Sequence, residues 1–221
     1  MKTFRTISLA LAILLSAGIS SFAQRDFSAN ITHDQEPGAP GITPPTTTTG
    51  APRPLSFGTA TFTLNAAMTQ LSMIATIFNI DVGGQTPDIN DNLLNAHIHV
   101  GAPPGSNAPV RWGFFGSPDN DTMPKQLSLV PFASGVGGTF TSIWDLPEGN
   151  AGTTLATNLP QIFANLSYIN FHTQQFMGGE IRGQIIVPEP VSTGALLALG
   201  VFGMLGFGWM SRTHSPKTER A

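Results

Sequence analysis

The chain has 221 residues, with 10 Lys and Arg against 13 Asp and Glu, which gives a formal charge of −3. This length allows one domain with a substantial core or two small ones. The chain contains no cysteine, which excludes disulfide frameworks, thiolate metal sites and cysteine nucleophiles. Charged residues make up only 10% of the chain, whereas Gly (24) and Pro (18) are plentiful. This composition favours a turn-rich β protein.

The first 23 residues have the features of a secretory signal peptide. Lys2 and Arg5 precede a long apolar run, and small residues occupy positions 21 and 23, where a signal peptidase requires them. We therefore predict that 1–23 is a signal peptide and that the protein is exported.

A proline- and threonine-rich segment follows. Residues 24–56 contain six prolines and a run of four threonines, but almost no large apolar residue after Phe27. Such a segment buries too little apolar surface to become ordered. We predict that 24–56 is a disordered tether.

The pattern changes at Phe57 to that of a β domain. In 57–64, threonines alternate with Ala60, Phe62 and Leu64, as in a half-buried strand. Similar patterns recur at 71–82, 96–100, 110–115, 138–146, 167–173 and 180–187. Asn158 and Gln161 predict a capping box at the start of one short helix. The fold predicted for 57–187 is all-β, an antiparallel β-sandwich or barrel with one short helix.

Three of these strands carry their polar residues on one face, because side chains alternate between the two faces of a strand. The polar residues are His97 and His99, then Tyr168, Asn170 and His172, then Glu180, Arg182 and Gln184. The last two strands should form a hairpin. Its register should place Asn170 opposite Arg182 and His172 opposite Glu180, so that polar residues face polar residues.

Two interpretations of this polar face remain open. In the first, it is a hydrogen-bonded network without a cofactor, in which Arg182 bridges Glu180 and Asn170. In the second, neutral imidazoles bind zinc or copper, which both accept such ligands. The candidate ligands are His97, His99 and His172.

Two long motifs resemble the CHRD domain. They are the segments 96–110, AHIHVGAPPGSNAPV, and 168–184, YINFHTQQFMGGEIRGQ. The resemblance extends from about Phe57 to Ile186. It implies a β-sandwich-like module of extracellular proteins, with neither an enzyme activity nor an established ligand.

The end of the chain has three features in a fixed order. Pro188, Glu189 and Pro190 precede an apolar stretch, 191–210, and a basic tail, 211–221. Twenty helical residues span about 30 Å, the thickness of a hydrocarbon core. The arrangement, 188–221, resembles the PEP-CTERM sorting signal of Gram-negative bacteria. It implies a transient anchor in the inner membrane and processing by an exosortase.

We expect from the sequence an exported, non-enzymatic adhesion or matrix module at the surface of a Gram-negative bacterium or outside the cell. Extracellular polysaccharide or surface proteins would be its partners. Residues 24–190 contain 5 basic and 12 acidic residues, which argues against nucleic acid as a partner, because phosphate binding requires clustered cations. The alternative function is a metal-binding β-barrel, with redox activity as an option, that uses His97, His99 and His172.

Overall fold

The computed structural model describes residues 24–38 and 44–188. They form nine strands, one α-helix (α1, Leu155–Phe163) and a 3₁₀ turn, His33–Gln35. The strands are β1 (Arg25–Thr32), β2 (Phe57–Leu64), β3 (Gln70–Phe78), β4 (Leu93–Val100), β5 (Val110–Phe115), β6 (Ser128–Pro131), β7 (Gly137–Asp145), β8 (Ser167–Thr173) and β9 (Ile181–Ile185).

The strands form one antiparallel sheet in the order β5-β4-β8-β9-β1-β2-β3-β7-β6. The sheet curls, which brings β5 at one edge onto β7 near the other. There Trp112 stacks on Trp144 with ring centroids 5.6 Å apart. The predicted all-β antiparallel class, with one short helix, is confirmed, and its form is a curled half-barrel. Both tryptophans belong to its core.

The polar face lies on the outside of this half-barrel, because the alternate residues of the same strands face the core. Ile98, Ile169 and Ile181 are fully buried in the core. The side chains between them on β4, β8 and β9 therefore point to the opposite side. Three neighbouring strands thus bring the predicted polar residues together, with the exception of Glu180, which precedes β9.

The prediction of a disordered tether is wrong for Arg25–Thr32, which forms β1 near the middle of the sheet. β1 pairs with β2 along its whole length and with β9 at Thr32. Phe27, Ala29 and Ile31 alternate along β1 and are buried in the core. This burial stabilises a strand in a segment that is otherwise poor in apolar residues. The domain therefore begins at β1 and not at Phe57.

Helix α1 begins one turn before the predicted cap. Thr154 is the N-cap residue, and its side chain accepts a hydrogen bond from the Thr157 amide. The Thr157 hydroxyl oxygen accepts one from the Thr154 amide in return. Asn158 lies within the helix and donates to the Thr154 carbonyl at 2.8 Å. The threonine pair therefore satisfies the amides at the start of this helix.

The predicted signal peptide, 1–23, lies outside the described residues. So do Glu189, Pro190 and everything that follows them in the predicted sorting signal. Within 24–38 and 44–188, no helix has the length and apolar character needed to cross a membrane.

Candidate metal centre

The register of β4, β8 and β9 sets the layout of the polar face. Asn170 of β8 pairs with His97 of β4 on one side and with Arg182 of β9 on the other. The predicted pairing of Asn170 with Arg182 is therefore confirmed, whereas the ladder ends at Phe171 and Ile181 and does not include the predicted pair of His172 and Glu180. In the next row, His99 pairs with Tyr168.

Three histidines of this face converge on one point. One ring nitrogen from each of His97, His99 and His172 lies within 4.8 Å of the other two. The ring centroids of His97 and His172 are 5.0 Å apart, and those of His97 and His99 are 5.8 Å apart. All three side chains are buried. The histidines that the sequence singled out thus form a compact cluster, which we call the histidine cluster.

Hydrogen bonds to the backbone fix which nitrogen of each ring carries the proton. His97 Nε2 lies 3.0 Å from the Ser117 carbonyl oxygen, and His99 Nδ1 lies 2.8 Å from that of Ala108. His172 Nδ1 lies 3.0 Å from the carbonyl oxygen of Met177. A carbonyl oxygen only accepts, so each of these nitrogens is the donor.

The other nitrogen of each ring therefore carries a lone pair. These atoms are His97 Nδ1, His99 Nε2 and His172 Nε2, and each is buried without a hydrogen-bond partner. Three neighbouring rings that each offer an unprotonated imidazole nitrogen match the ligands that zinc and copper prefer. The carbonyls that bind the opposite nitrogens act as outer partners, which orient the rings of such sites.

The histidine cluster is neutral at physiological pH. Burial, together with the proximity of His172, lowers the pKa of His97 from 6.5 to about 4. Burial also lowers the pKa of His99 to about 4, against the effect of its bond to Ala108. The pKa of His172 is lowered by burial as well. No proton therefore has to be displaced at pH 7 before a metal ion binds.

A close approach of two backbone segments places the acceptor for His97. Gly113 of β5 packs directly against the loop that contains Ser117 and Pro118. A Cβ on Gly113 would lie 1.8 Å from the Pro118 carbonyl oxygen and 3.1 Å from the His97 ring. Glycine at position 113 is therefore required for the loop to reach His97.

Tyr168 and Arg182 support His99 from the side. The rings of His99 and Tyr168 stack at 4.6 Å, and the Arg182 guanidinium lies 3.3 Å from the centre of the Tyr168 ring. Arg182 also donates to the Ser106 carbonyl and to Asn107 Oδ1. These contacts hold the 101–109 loop, which carries the carbonyl that binds His99, against the sheet.

The predicted bridge of Arg182 to Glu180 and Asn170 does not form, because Arg182 donates to Ser106 and Asn107 instead. The Glu180 carboxylate, which is fully buried, is bound instead by Arg53 at 3.1 Å, by Thr173 at 2.6 Å and by Ser56. Arg53 belongs to the segment predicted as a tether, and it lies 127 positions from Glu180 in the sequence. Nothing in the local pattern around either residue indicates this pairing.

Sequence reasoning also missed Glu36, which follows the 3₁₀ turn. Its side chain is 8% exposed, and its Oε1 atom has no hydrogen-bond partner. Burial raises the pKa of Glu36 to about 7, although the nearby Arg182 guanidinium and the Asn170 amide act in the opposite direction. Glu36 thus brings an acidic group beside the polar face.

The fold and the site define an all-β domain with a buried histidine cluster. A model of the CHRD domain family matches residues 27–185, well over half of the chain. The chain belongs to the CHRD domain family. The match begins in β1 and ends in β9, so it spans the whole sheet. Comparison with curated proteins and with solved structures gives no match.

Proposed function

We propose that this protein is an exported domain that binds one zinc or copper ion through His97, His99 and His172. Two observations carry the proposal: one ring nitrogen from each of the three histidines lies within 4.8 Å of the other two, and each ring has one buried nitrogen without a hydrogen-bond partner. A polar atom buried without a partner destabilises a fold by about 1 to 3 kcal/mol. A single metal ion would provide a partner for the three ring nitrogens at once.

The donor set favours nitrogen-preferring metals. Three imidazoles suit zinc and copper, and Cu(II) binds such ligands more tightly than Zn(II) does. Three protein ligands leave a fourth coordination position for water or another small molecule, as in catalytic zinc sites and unlike closed structural ones. The proposed site is therefore of the open kind.

Metal titration of the purified full-length protein tests this proposal. After treatment with a chelator, the protein should take up one equivalent of copper or zinc per chain. The variants His97→Gln, His99→Gln and His172→Gln should each lose this uptake. His33→Gln is the matched control, because His33 also bonds a carbonyl through Nδ1 but lies outside the histidine cluster. The absence of stoichiometric uptake by the wild type would contradict the proposal.

Export and surface attachment form a second, compatible proposal. They rest on the signal peptide and sorting signal read from the sequence, and an exposed aromatic row supports a role in adhesion. Phe57 and Phe78 stack at 4.7 Å, and Phe132 extends the row at 5.1 Å from Phe78. Phe57 is 48% exposed, and exposed apolar groups of this kind mark interaction surfaces.

Co-sedimentation with extracellular polysaccharide or with cell-surface fractions of the producing bacterium tests the adhesion proposal. A Phe57→Ser/Phe78→Ser variant should lose binding, whereas His97→Gln should retain it. Equal binding by the wild type and the double variant would contradict a role of this row. Recovery of the protein in the cytoplasm alone would contradict export.

A further inference from the structure

Two buried acceptor oxygens lie next to the histidine cluster without a donor. Asn170 is 3% exposed and Glu36 is 8% exposed, and neither Asn170 Oδ1 nor Glu36 Oε1 has a hydrogen-bond partner. Both side chains pack against Gly179. A Cβ on Gly179 would lie 2.4 Å from Glu36 Oε1 and 2.8 Å from Asn170 Oδ1.

These distances limit the separation of the two oxygens. Both lie within 2.8 Å of the same point, so they are less than about 6 Å apart. One water molecule that donates two hydrogen bonds of about 2.8 Å bridges two acceptors over such a span. The two oxygens, which we call the receptor, are therefore close enough for one small molecule with two donor hydrogens to bridge them.

The receptor lies beside the histidine cluster, because Asn170 shares its strand face. Asn170 is the cross-strand neighbour of His97 and shares one face of β8 with His172. Directly opposed side chains on neighbouring strands have Cβ atoms about 5 Å apart. A ligand on a metal held by His97 and His172 is thus within reach of the Asn170 amide.

We propose that Asn170 and Glu36 hold a water molecule, or another small hydroxyl compound, at the fourth coordination position of the metal. This inference rests on the proposed function. The metal binds the oxygen of the ligand, and its two hydrogens are donated to Asn170 Oδ1 and Glu36 Oε1. Asn170 and Glu36 act as positioning residues and are not metal ligands.

The receptor discriminates between ligands by their hydrogen atoms. Azide has no hydrogen to donate, so in the wild type it must displace a water that is held by two hydrogen bonds. Each such bond is worth roughly a threefold to tenfold change in affinity. Removal of either acceptor should therefore make the metal a better azide binder.

Azide titration of the copper-loaded full-length protein tests this inference, with the charge-transfer absorption of the copper–azide complex as the readout. Asn170→Ala and Glu36→Leu should each bind azide about threefold to tenfold more tightly than the wild type, while copper affinity changes less than threefold. Asp34→Asn is the matched control, because Asp34 lies two residues from Glu36 in the 3₁₀ turn and is exposed. Its azide affinity should equal that of the wild type.

The remaining outcomes of the azide titration show which of the two proposals fails. Unchanged azide affinity in both variants, with copper still bound, would overturn the water-holding role and leave the metal site intact. Loss of copper in Asn170→Ala, in a protein that remains folded by circular dichroism, would make Asn170 a ligand and also overturn it. Failure of the wild type to bind copper would overturn the proposed function, and this inference with it.

Discussion

The imidazole of His99 and the phenol ring of Tyr168 lie almost parallel, with 7° between their planes and 4.6 Å between their centroids. The Tyr168 hydroxyl also accepts a hydrogen bond from the Ala108 amide at 3.1 Å. The carbonyl of the same residue, Ala108, accepts the bond from His99 Nδ1. Tyr168 therefore fixes both the plane of the His99 ring and the backbone group that sets its tautomer.

Removing the Tyr168 ring should weaken metal binding without removing a ligand. We expect Tyr168→Leu to raise the dissociation constant for copper by about tenfold, as replacement of an outer partner of a metal site commonly does. Tyr168→Phe keeps the stack on His99 and should stay within about threefold of the wild type. Competition titration against a chromophoric chelator measures both. Equal affinities for the wild type and Tyr168→Leu would contradict the supporting role.

The buried pair of Arg53 and Glu180 should be essential for stability. Arg53→Ala leaves the carboxylate of Glu180 buried without its cation, which costs about 3 to 5 kcal/mol. Lys125→Ala breaks a matched but exposed pair with Asp119 and should cost less than about 1 kcal/mol. Urea unfolding measures both free energies. Similar losses of unfolding free energy in the two variants would contradict the conclusion that burial makes the Arg53–Glu180 pair the more important one.

Stability should fall as the pH is lowered from 6.5 towards 4. In this range the unfolded chain binds protons at His97 and His99 that the folded protein excludes, since their folded pKa is about 4. Glu36 has the opposite effect between pH 4.5 and 7, because its pKa is raised to about 7. Because two histidines act against one glutamate, the net effect of lowering the pH is a loss of stability.

Urea unfolding of the metal-free protein at pH 7 and pH 5 tests this linkage. The loss of stability between the two pH values should be smaller in His97→Gln than in the wild type, and larger in Glu36→Gln. An equal loss in His97→Gln and the wild type would mean that His97 is not held neutral by the fold.

Deletion of 24–38 should abolish cooperative folding. It removes β1 and the buried side chains of Phe27 and Ile31, each worth about 1.5 to 3 kcal/mol. It also leaves β2 and β9 without a partner between them. Thermal unfolding followed by circular dichroism checks this, with a chain that lacks only 1–23 as the control. A sharp transition in the 24–38 deletion would restore the tether interpretation.

The sequence predicts best the strands in which polar and apolar residues alternate strictly. This alternation also predicts the polar face. His97 and His99 are two positions apart on a strand, so they must share a face. His172 is two positions from Asn170 on β8, so it must share the outer face with Asn170. The contacts of Arg53 and Glu36 were not predictable, because long-range folding and not local pattern brings them to the sheet. β1 was missed although Phe27, Ala29 and Ile31 alternate, because the prolines that follow dominated the composition of that segment.

X-ray absorption spectroscopy of the zinc-loaded full-length protein shows whether His97, His99 and His172 bind one metal ion. We predict a first shell of three imidazole nitrogens at about 2.0 to 2.1 Å and one further light atom. His99→Gln should remove one imidazole from the shell or abolish loading, and His33→Gln should leave the spectrum unchanged. A shell of oxygen atoms alone, or one that none of the three substitutions in the histidine cluster alters, would contradict the account.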